Sequence, residues 1–118
     1  MKVINFDYYD WDEFEEYLDS LSDKDAAKLL AVINNIEEKG LAIAERQKWI
    51  KKLTSNLYEI RSKRSSNIHR AIYFHWENNK YIITHGFTKK TQNTPKREIE
   101  RAKAERDDYK ARKEAEKK

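Results

Sequence analysis

The first 21 residues combine a short mixed run with a stretch in which apolar positions follow helical spacing. Residues 2–9 carry β-branched and aromatic side chains, which predicts a short β-strand. Asp10, with Glu13 three positions later, forms a capping-box pattern that predicts the start of a helix of about ten residues. The apolar positions of this helix recur every three or four residues: Trp11, Phe14, Tyr17, Leu18 and Leu21.

A second helix follows after a tight turn. Ser22 and Asp25 repeat the cap pattern, and Gly40 supplies a left-handed stop. Two consecutive helices joined by so short a turn predict a helical hairpin. The pattern of residues 41–56 is weaker and favours a short helical piece followed by a connector. The apolar stripe of the second helix consists of Ala26, Leu29, Leu30, Ile33 and Ile36.

From residue 57 onward the apolar period changes to two, which is typical of β-strands. Three runs, LYEIR, IHRAIYFHW and KYIITHGF, are separated by residues 62–67 and by residues 77–79. Short connections between consecutive strands predict an antiparallel meander. Within the first run, alternation places Glu59 and Arg61 on one face and Tyr58 on the other.

A last helix is predicted from about residue 95, with Thr94 as its N-cap residue and Pro95 in its first turn. It carries few apolar side chains and ends in a charged tail at about residues 110–118. The order β–α–α–β–β–β–α predicts an α+β fold in which the helices pack on one face of a small antiparallel sheet. A chain of 118 residues and 14.2 kDa corresponds to a single domain, residues 1–118.

Composition restricts the kinds of site that this domain can hold. The absence of cysteine excludes disulfides, thiolate zinc sites and a cysteine nucleophile. His69 and His75 lie six positions apart, roughly 20 Å along a strand, which is too far for a shared metal. No apolar run approaches the roughly 18 residues that span a bilayer, and the N-terminus lacks the apolar core of a signal peptide. We therefore expect a cytoplasmic protein without a metal cofactor or a membrane partner.

Charge is segregated along the chain. Residues 1–45 hold 4 basic and 12 acidic side chains, whereas residues 46–95 hold 11 basic and 2 acidic ones. Residues 96–118 hold 10 basic and 7 acidic side chains, and the whole chain has a net charge of +4. A middle segment with a net charge of +9 attracts polyanions, of which nucleic acid is the commonest in the cytoplasm.

Ionisable residues of the three β-runs lie where adjacent strands bring side chains together. Such a group suits RNA cleavage without a metal, in which the 2′-hydroxyl attacks the adjacent phosphorus and cations stabilise the charge that develops on the nonbridging oxygens. Glu59 is the candidate base, and His85 or a lysine with a lowered pKa is the candidate acid. Alternatively, Glu59 and Arg61 form only a surface ion pair. The candidate catalytic residues are Glu59, Arg61, Arg70, His85, Lys89 and Lys90.

Further RNA contacts are expected from basic side chains of the middle segment and from an aromatic ring that stacks on a base. Tyr73 shares its predicted face with the histidines, whereas for Trp49, Tyr58 and Trp76 core packing is the favoured alternative. The candidate RNA-binding residues are Lys51, Lys52, Lys63, Arg64 and Tyr73.

Over roughly residues 49–109 the chain resembles the phage-derived HigB-like toxins of the RelE/ParE superfamily. Four segments carry the resemblance: Leu57-Tyr58-Glu59-Ile60-Arg61, His69-Arg70-Ala71-Ile72-Tyr73-Phe74, His85-Gly86-Phe87-Thr88-Lys89-Lys90-Thr91, and Thr94-Pro95 with Glu98, Ile99 and Ala102 behind it. One departure is His69, which stands where the family often has an aromatic residue.

The resemblance implies a RelE-like fold with a helical hairpin on a twisted antiparallel sheet. It also implies a toxin of a type II toxin–antitoxin system that cuts mRNA in the ribosomal A site. Its partners would be the ribosome, mRNA and a helix-turn-helix antitoxin of the HigA type, with operator DNA contacted only through the antitoxin. The basic residues of the family's active surface match Arg61, Arg70, Lys89 and Lys90, with Glu59 beside them.

Two other functions stay open at this point. A ParE-like gyrase poison would bind its target without cleaving RNA, and a plain nucleic-acid-binding protein would have no catalysis. Two hypotheses explain the acidic N-terminal segment. Either it faces away from ribosomal RNA, or it binds the antitoxin through an exposed apolar strip formed by Trp11, Phe14 and Tyr17.

Overall fold

The computed structural model describes residues 1–91 and 93–117, which form five β-strands and four α-helices. This composition confirms the predicted α+β class. In chain order the elements are β1 (Asn5–Tyr8), α1 (Trp11–Asp19), α2 (Asp23–Lys39), α3 (Leu41–Arg46), β2 (Ile50–Thr54), β3 (Leu57–Arg64), β4 (Asn67–Glu77), β5 (Lys80–Lys89) and α4 (Lys96–Glu116).

The sheet is mixed, which corrects the prediction of a purely antiparallel sheet. Its strand order is β1-β5-β4-β3-β2, in which β2 to β5 form an antiparallel meander and β1 pairs with β5 in parallel. Strand β2 occupies part of the segment that we predicted as a connector after a short helix. Its pattern is weak because Lys51 and Lys52 are both exposed, and pairing with β3 rather than its own composition makes it a strand.

Helices α1 and α2 pack on one face of the sheet and begin at the predicted caps. Asp10 Oδ1 accepts a hydrogen bond from Glu13 N at 3.1 Å, and Ser22 Oγ accepts one from Asp25 N at the same distance. Both bonds satisfy backbone donors that a helix start leaves unpaired. The core between these helices and the sheet contains Phe14, Leu18, Leu29, Ile33, Ile36, Ile60, Ala71, Tyr73 and Ile83.

Helix α4 packs on the opposite face, so the prediction that all helices share one face is wrong. The sheet has a second apolar face, and α4 covers it with Ala102 and with the half-buried Ile99 and Tyr109. The helix continues through the predicted tail to Glu116. In the described part of the chain, none of the helices combines the length and the apolar character needed to cross a membrane. The second core contains Leu57, Ile72, Phe74, Ile82, Phe87 and Ala102.

The start of α4 differs from the prediction in a way that affects the site. Pro95 takes the N-cap position, and no side chain caps the helix. The Thr94 hydroxyl, which we expected to cap it, donates a hydrogen bond to Glu59 Oε2 on β3 instead. Thr94 thereby ties the position before Pro95 to the centre of the sheet.

The apolar strip expected on α1 is largely absent from the surface. Phe14 is only 2% exposed, and Tyr17 is half-buried. Trp11 alone keeps substantial exposure, at 44%. The two inner rings belong to the core. Most of the surface on which an antitoxin was hypothesised to bind is therefore not exposed.

Candidate anion-binding site

Strand pairing gathers charged side chains on the face of the sheet that carries α4. Arg61 lies directly opposite Arg70 in the β3–β4 ladder, and Lys89 lies opposite Ile68 in the β4–β5 ladder. Residues directly opposite each other in antiparallel strands project from the same face. Glu59 shares this face because it lies two positions before Arg61. We call Glu59, Arg61, Arg70 and Lys89 the charged cluster.

Glu59 lies at the centre of the charged cluster and is 1% exposed. Its Oε1 atom lies 3.5 Å from Arg70 Nε and 3.7 Å from Lys89 Nζ. Lys89 Nζ also donates to Thr94 Oγ1 at 3.3 Å. The alternative of a surface ion pair between Glu59 and Arg61 is therefore wrong, because the carboxylate is buried and its ionic partners are Arg70 and Lys89.

Burial changes the acidity of both buried cations. Removal from water lowers the pKa of Arg70, which Glu59 opposes and Arg61 reinforces. Burial also lowers the pKa of Lys89, against the attraction of Glu59, and Arg70, Arg61 and Lys51 lower it further. Lys89 therefore gives up its proton more readily than an ordinary lysine.

A cavity of about 300 Å³ opens beside the buried part of the charged cluster. Its lining is Lys48, Arg61, Lys63, Ile68 and Arg70, which contributes four cations and no acidic side chain. Such a lining suits a phosphate group, because arginine binds phosphate oxygens with two parallel donors.

Arg70 is held in place at the wall of this cavity. Its Nη1 atom donates to the backbone oxygens of His69 at 3.0 Å and of Ser62 at 3.4 Å. Its buried Nε atom faces Glu59 Oε1 at 3.5 Å, although this contact does not have the geometry of a hydrogen bond.

Sequence reasoning missed Lys48, which supplies one of the cations of this cavity. Lys48 lies in the turn between α3 and β2, where its backbone has a φ of 61°. Recognition of strand β2 would have placed this turn at the edge of the sheet, next to the predicted basic residues. Without that strand, the sequence offers no local signal for the position of Lys48.

The structure does not bring His85 to the charged cluster. The side chain is 2% exposed under α4, where Nε2 lies 3.1 Å from Glu98 Oε1 and Nδ1 lies 3.5 Å from Glu105 Oε1. In the sheet, Ile72 pairs with Glu59 on one side and with His85 on the other, so it separates them. His85 therefore connects the sheet to α4.

The remaining predicted residues fall into two groups. Lys51, Lys52, Lys63 and Lys90 have exposed side chains near the charged cluster or at the sheet edge, as RNA contacts require. Tyr73 is 1% exposed in the core under α1 and α2, because alternation directs it to the other face.

Arg64 also belongs to the other face, where it joins a buried polar network. Its Nη1 atom lies 3.0 Å from Asp25 Oδ1, and His69 Nε2 lies 2.9 Å from Asp25 Oδ2. His69 Nδ1 in turn lies 2.9 Å from Thr88 Oγ1. The bond with His69 is the largest cause that lowers the pKa of Asp25 to about 2. His69, the departure from the family pattern, thus ties α2 to strands β4 and β5.

A metal site has no support in the part of the chain that the structure describes. Across residues 1–91 and 93–117, no three His, Cys, Asp or Glu side chains come together in a way that could hold an ion.

The chain matches the model of a known protein family. None of the curated proteins compared with the chain matches it significantly. The model of the family described as phage derived protein Gp49-like (DUF891) matches residues 16–107. This span runs from α1 into α4 and includes the whole charged cluster and Lys48. The chain belongs to the Gp49-like family of phage-derived proteins.

Proposed function

We propose that the protein is the toxin of a type II toxin–antitoxin system and that it cleaves mRNA on the ribosome without a metal. The observation that carries the proposal is the cavity lined by Lys48, Arg61, Lys63 and Arg70 beside the buried Glu59 and Lys89. Membership of a phage-derived family and the resemblance to HigB-like toxins support the same function.

Binding places one phosphodiester group of the mRNA in the cavity. Arg61 is half-buried at its wall and offers its guanidinium to a nonbridging oxygen, and the guanidinium of Arg70, which lines the same cavity, offers a second donor. Both donors are fixed by the sheet before substrate arrives. They therefore stabilise the charge that develops on phosphorus without reorganising during the reaction.

Cleavage requires one proton to leave and another to arrive. Glu59 takes the proton of the 2′-hydroxyl as its oxygen bonds to phosphorus, and Lys89 gives a proton to the departing 5′-oxygen as the P–O bond breaks. The lowered pKa of Lys89 suits it to this role. The products are a 2′,3′-cyclic phosphate and a 5′-hydroxyl end.

Thr94 controls the availability of the base. Its hydroxyl donates to Glu59 Oε2, while Oε1 faces Arg70 and Lys89. Both carboxylate oxygens are engaged in this state, so Thr94 must move away before Glu59 accepts a proton from RNA. Movement of the segment before α4 is therefore part of the proposed reaction.

The test is cleavage of a defined mRNA by purified protein on purified ribosomes, with a metal-free control for the chemistry on short RNA. We expect Arg61→Ala to slow cleavage by about 10²- to 10³-fold, the usual effect of losing one donor to a developing oxyanion. Arg46→Ala, at the exposed end of α3, is the matched control and should cleave at the wild-type rate.

Two results would remove the proposal. DNA breaks that depend on gyrase, with intact mRNA, indicate the ParE-like alternative. RNA binding without cleavage indicates a binding protein. Growth arrest on expression should be relieved by Arg61→Ala, by Lys90→Ala and by a helix-turn-helix antitoxin, each with the toxin still folded.

A further inference from the structure

A second cavity, of about 650 Å³, lies on the face of the sheet opposite the charged cluster. It runs between α3 and strands β2 to β5, and aromatic rings form its floor. We call it the tyrosine trough. The residues that matter for its chemistry are Tyr58, Tyr73, His75, Tyr81, Glu45 and Lys52.

The floor of the tyrosine trough is held by cross-strand pairing. Tyr58 lies opposite Tyr73, and their rings stack with centroids 5.3 Å apart and an interplanar angle of 22°. Tyr81 meets Tyr73 edge-on at 5.9 Å and lies 4.9 Å from the ring of His75. Because the strands fix these positions, a flat aromatic ligand would meet a surface that is already formed.

Three phenol side chains, those of Tyr58, Tyr73 and Tyr81, line this cavity. Tyr73 is 1% exposed, and the other two are half-buried. Burial raises the pKa of Tyr73, and Tyr58, Tyr81 and Glu45 raise it further, so its hydroxyl keeps its proton. A protonated phenol at the wall of a cavity can donate a hydrogen bond to a ligand with polar edges.

A cation completes the cavity at its rim. Lys52 is exposed and lies directly opposite Tyr58 in the β2–β3 ladder, on the face of the trough. A planar ring with polar edges joined to an anionic group is the chemistry of a nucleotide. We propose that the tyrosine trough binds a nucleotide, with its base against the tyrosine floor and its phosphate at Lys52.

This site goes beyond the proposed cleavage and does not depend on it. The trough and the charged cluster lie on opposite faces, so each can be disabled without the other. The nucleotide comes either from solution or from a single-stranded RNA that crosses the β2 edge, and the two sources share the same recognition chemistry.

The test is a titration of the full chain with AMP, adenosine and inorganic phosphate, followed by NMR of the tyrosine ring signals and by binding isotherms. We expect AMP to shift the signals of Tyr58 and Tyr81. Lys52→Ala should weaken AMP binding about tenfold, equivalent to about 1.4 kcal/mol, with the affinity for adenosine unchanged. Lys24→Ala, at an exposed position on α2, is the control and should leave both affinities unchanged.

A double variant tests the hydroxyls while keeping the rings. Tyr58→Phe with Tyr81→Phe should weaken both AMP and adenosine, and an unchanged NMR spectrum elsewhere shows that it folds. A short single-stranded RNA that binds the trough more tightly than AMP identifies the strand as the source, and equal affinity identifies the free nucleotide.

Three outcomes would overturn the inference: no AMP binding at millimolar concentration, shifts confined to residues around Arg61 and Lys89, or protection of the tyrosine rings by a protein partner but not by nucleotide. The two proposals also fail separately. Arg61→Ala should stop cleavage and leave AMP binding intact, whereas cleavage without AMP binding removes only the trough.

Discussion

Glu59 is buried together with two cations and one hydroxyl group. Removing one member of such a group leaves the remaining charge buried without a counter-charge. The resulting loss of folding free energy is larger than the stability that the intact group contributes. Glu59 Oε1 lies 3.5 Å from Arg70 Nε and 3.7 Å from Lys89 Nζ, so both buried cations face the same carboxylate. Glu59 therefore carries the stability of the charged cluster as well as its proposed chemistry.

Replacing Glu59 with glutamine should lower the free energy of unfolding by about 3–5 kcal/mol, because two cations then lose their buried counter-charge. Urea denaturation at neutral pH measures the change. Glu38→Gln, at an exposed position of α2, is the matched control and should stay within about 0.5 kcal/mol of the wild type. An equally small effect at Glu59 would show that water reaches the cluster.

Asp25 should make the free energy of unfolding depend on pH in the acid range. Its pKa falls from 3.8 to about 2 in the folded chain, chiefly through the hydrogen bond with His69. A carboxylate whose pKa is depressed on folding contributes stability above its unfolded pKa and loses it as the pH falls through the folded value. Unfolding free energy should therefore decrease between pH 3.8 and about 2.

Denaturant titrations across this pH range test Asp25 directly. Asp25→Asn should flatten the acid limb of the curve, since the variant has no carboxyl to protonate there. Asp23→Asn, in the same first turn of α2 but exposed, should keep the wild-type slope. A wild-type slope in both variants would assign the acid dependence to other carboxylates.

Among the elements, α1 and β5 approach each other at Gly86. A Cβ atom at this position would lie 2.4 Å from Tyr17 Cδ2 and 3.2 Å from Phe14 Cε1. The space is available only because glycine has no side chain, and the neighbouring ring belongs to the core layer under α1. Any larger residue forces the helix away from the strand.

Gly86→Ala should lower the unfolding free energy by about 1–3 kcal/mol, the usual cost of overpacking a core. A double-mutant cycle with Tyr17→Ala checks the cause. Gly86→Ala should cost much less in the Tyr17→Ala background, because the ring that it strikes is gone. Additive losses would indicate that the strand, rather than the contact with α1, is disturbed.

Local patterns predicted those elements whose causes lie within a few residues. The starts of α1 and α2 follow from the caps at Asp10 and Ser22, and both caps form the expected hydrogen bonds. Strand β2 escaped prediction because its stability comes from pairing with β3. The parallel pairing of β1 with β5 joins residues about 75 positions apart, which no local pattern reports.

The same distinction between local and long-range causes applies to the charged cluster. Arg61 and Arg70 were expected among the side chains that adjacent strands bring together, and they lie directly opposite each other. The contact between Thr94 and Glu59 spans 35 positions and depends on where α4 begins, so the sequence could not supply it. His85 lies apart from the charged cluster for a related reason: two carboxylates of α4, on the same face of the sheet, contact its ring.

At the scale of the whole molecule, the segregated charge gives two functionally different regions. Residues 46–95 carry a net charge of +9 and supply every cation of the 300 Å³ cavity, whereas residues 1–45 carry −8. Binding of RNA by such a surface releases counterions, so its affinity falls as the salt concentration rises.

The salt dependence of RNA binding measures how many cations contact phosphates. For single-stranded RNA, the slope of log affinity against log salt changes by roughly 0.7 for each phosphate contact, and Lys63→Ala should reduce the slope by about that amount. Lys24→Ala, in the acidic N-terminal region, should leave it unchanged. Equal slopes in all three proteins would place RNA elsewhere than the cavity.

The parallel pairing of β1 with β5 also fixes when the domain can be completed during translation. Residues 5–8 are synthesised well before residues 80–83, with which they align, and Lys89 belongs to the same later strand. A growing chain that ends before β5 therefore has an unfinished sheet and an incomplete charge assembly. Any activity that needs Lys89 therefore begins only after β5 has emerged, so synthesis of the chain delays the onset of that activity.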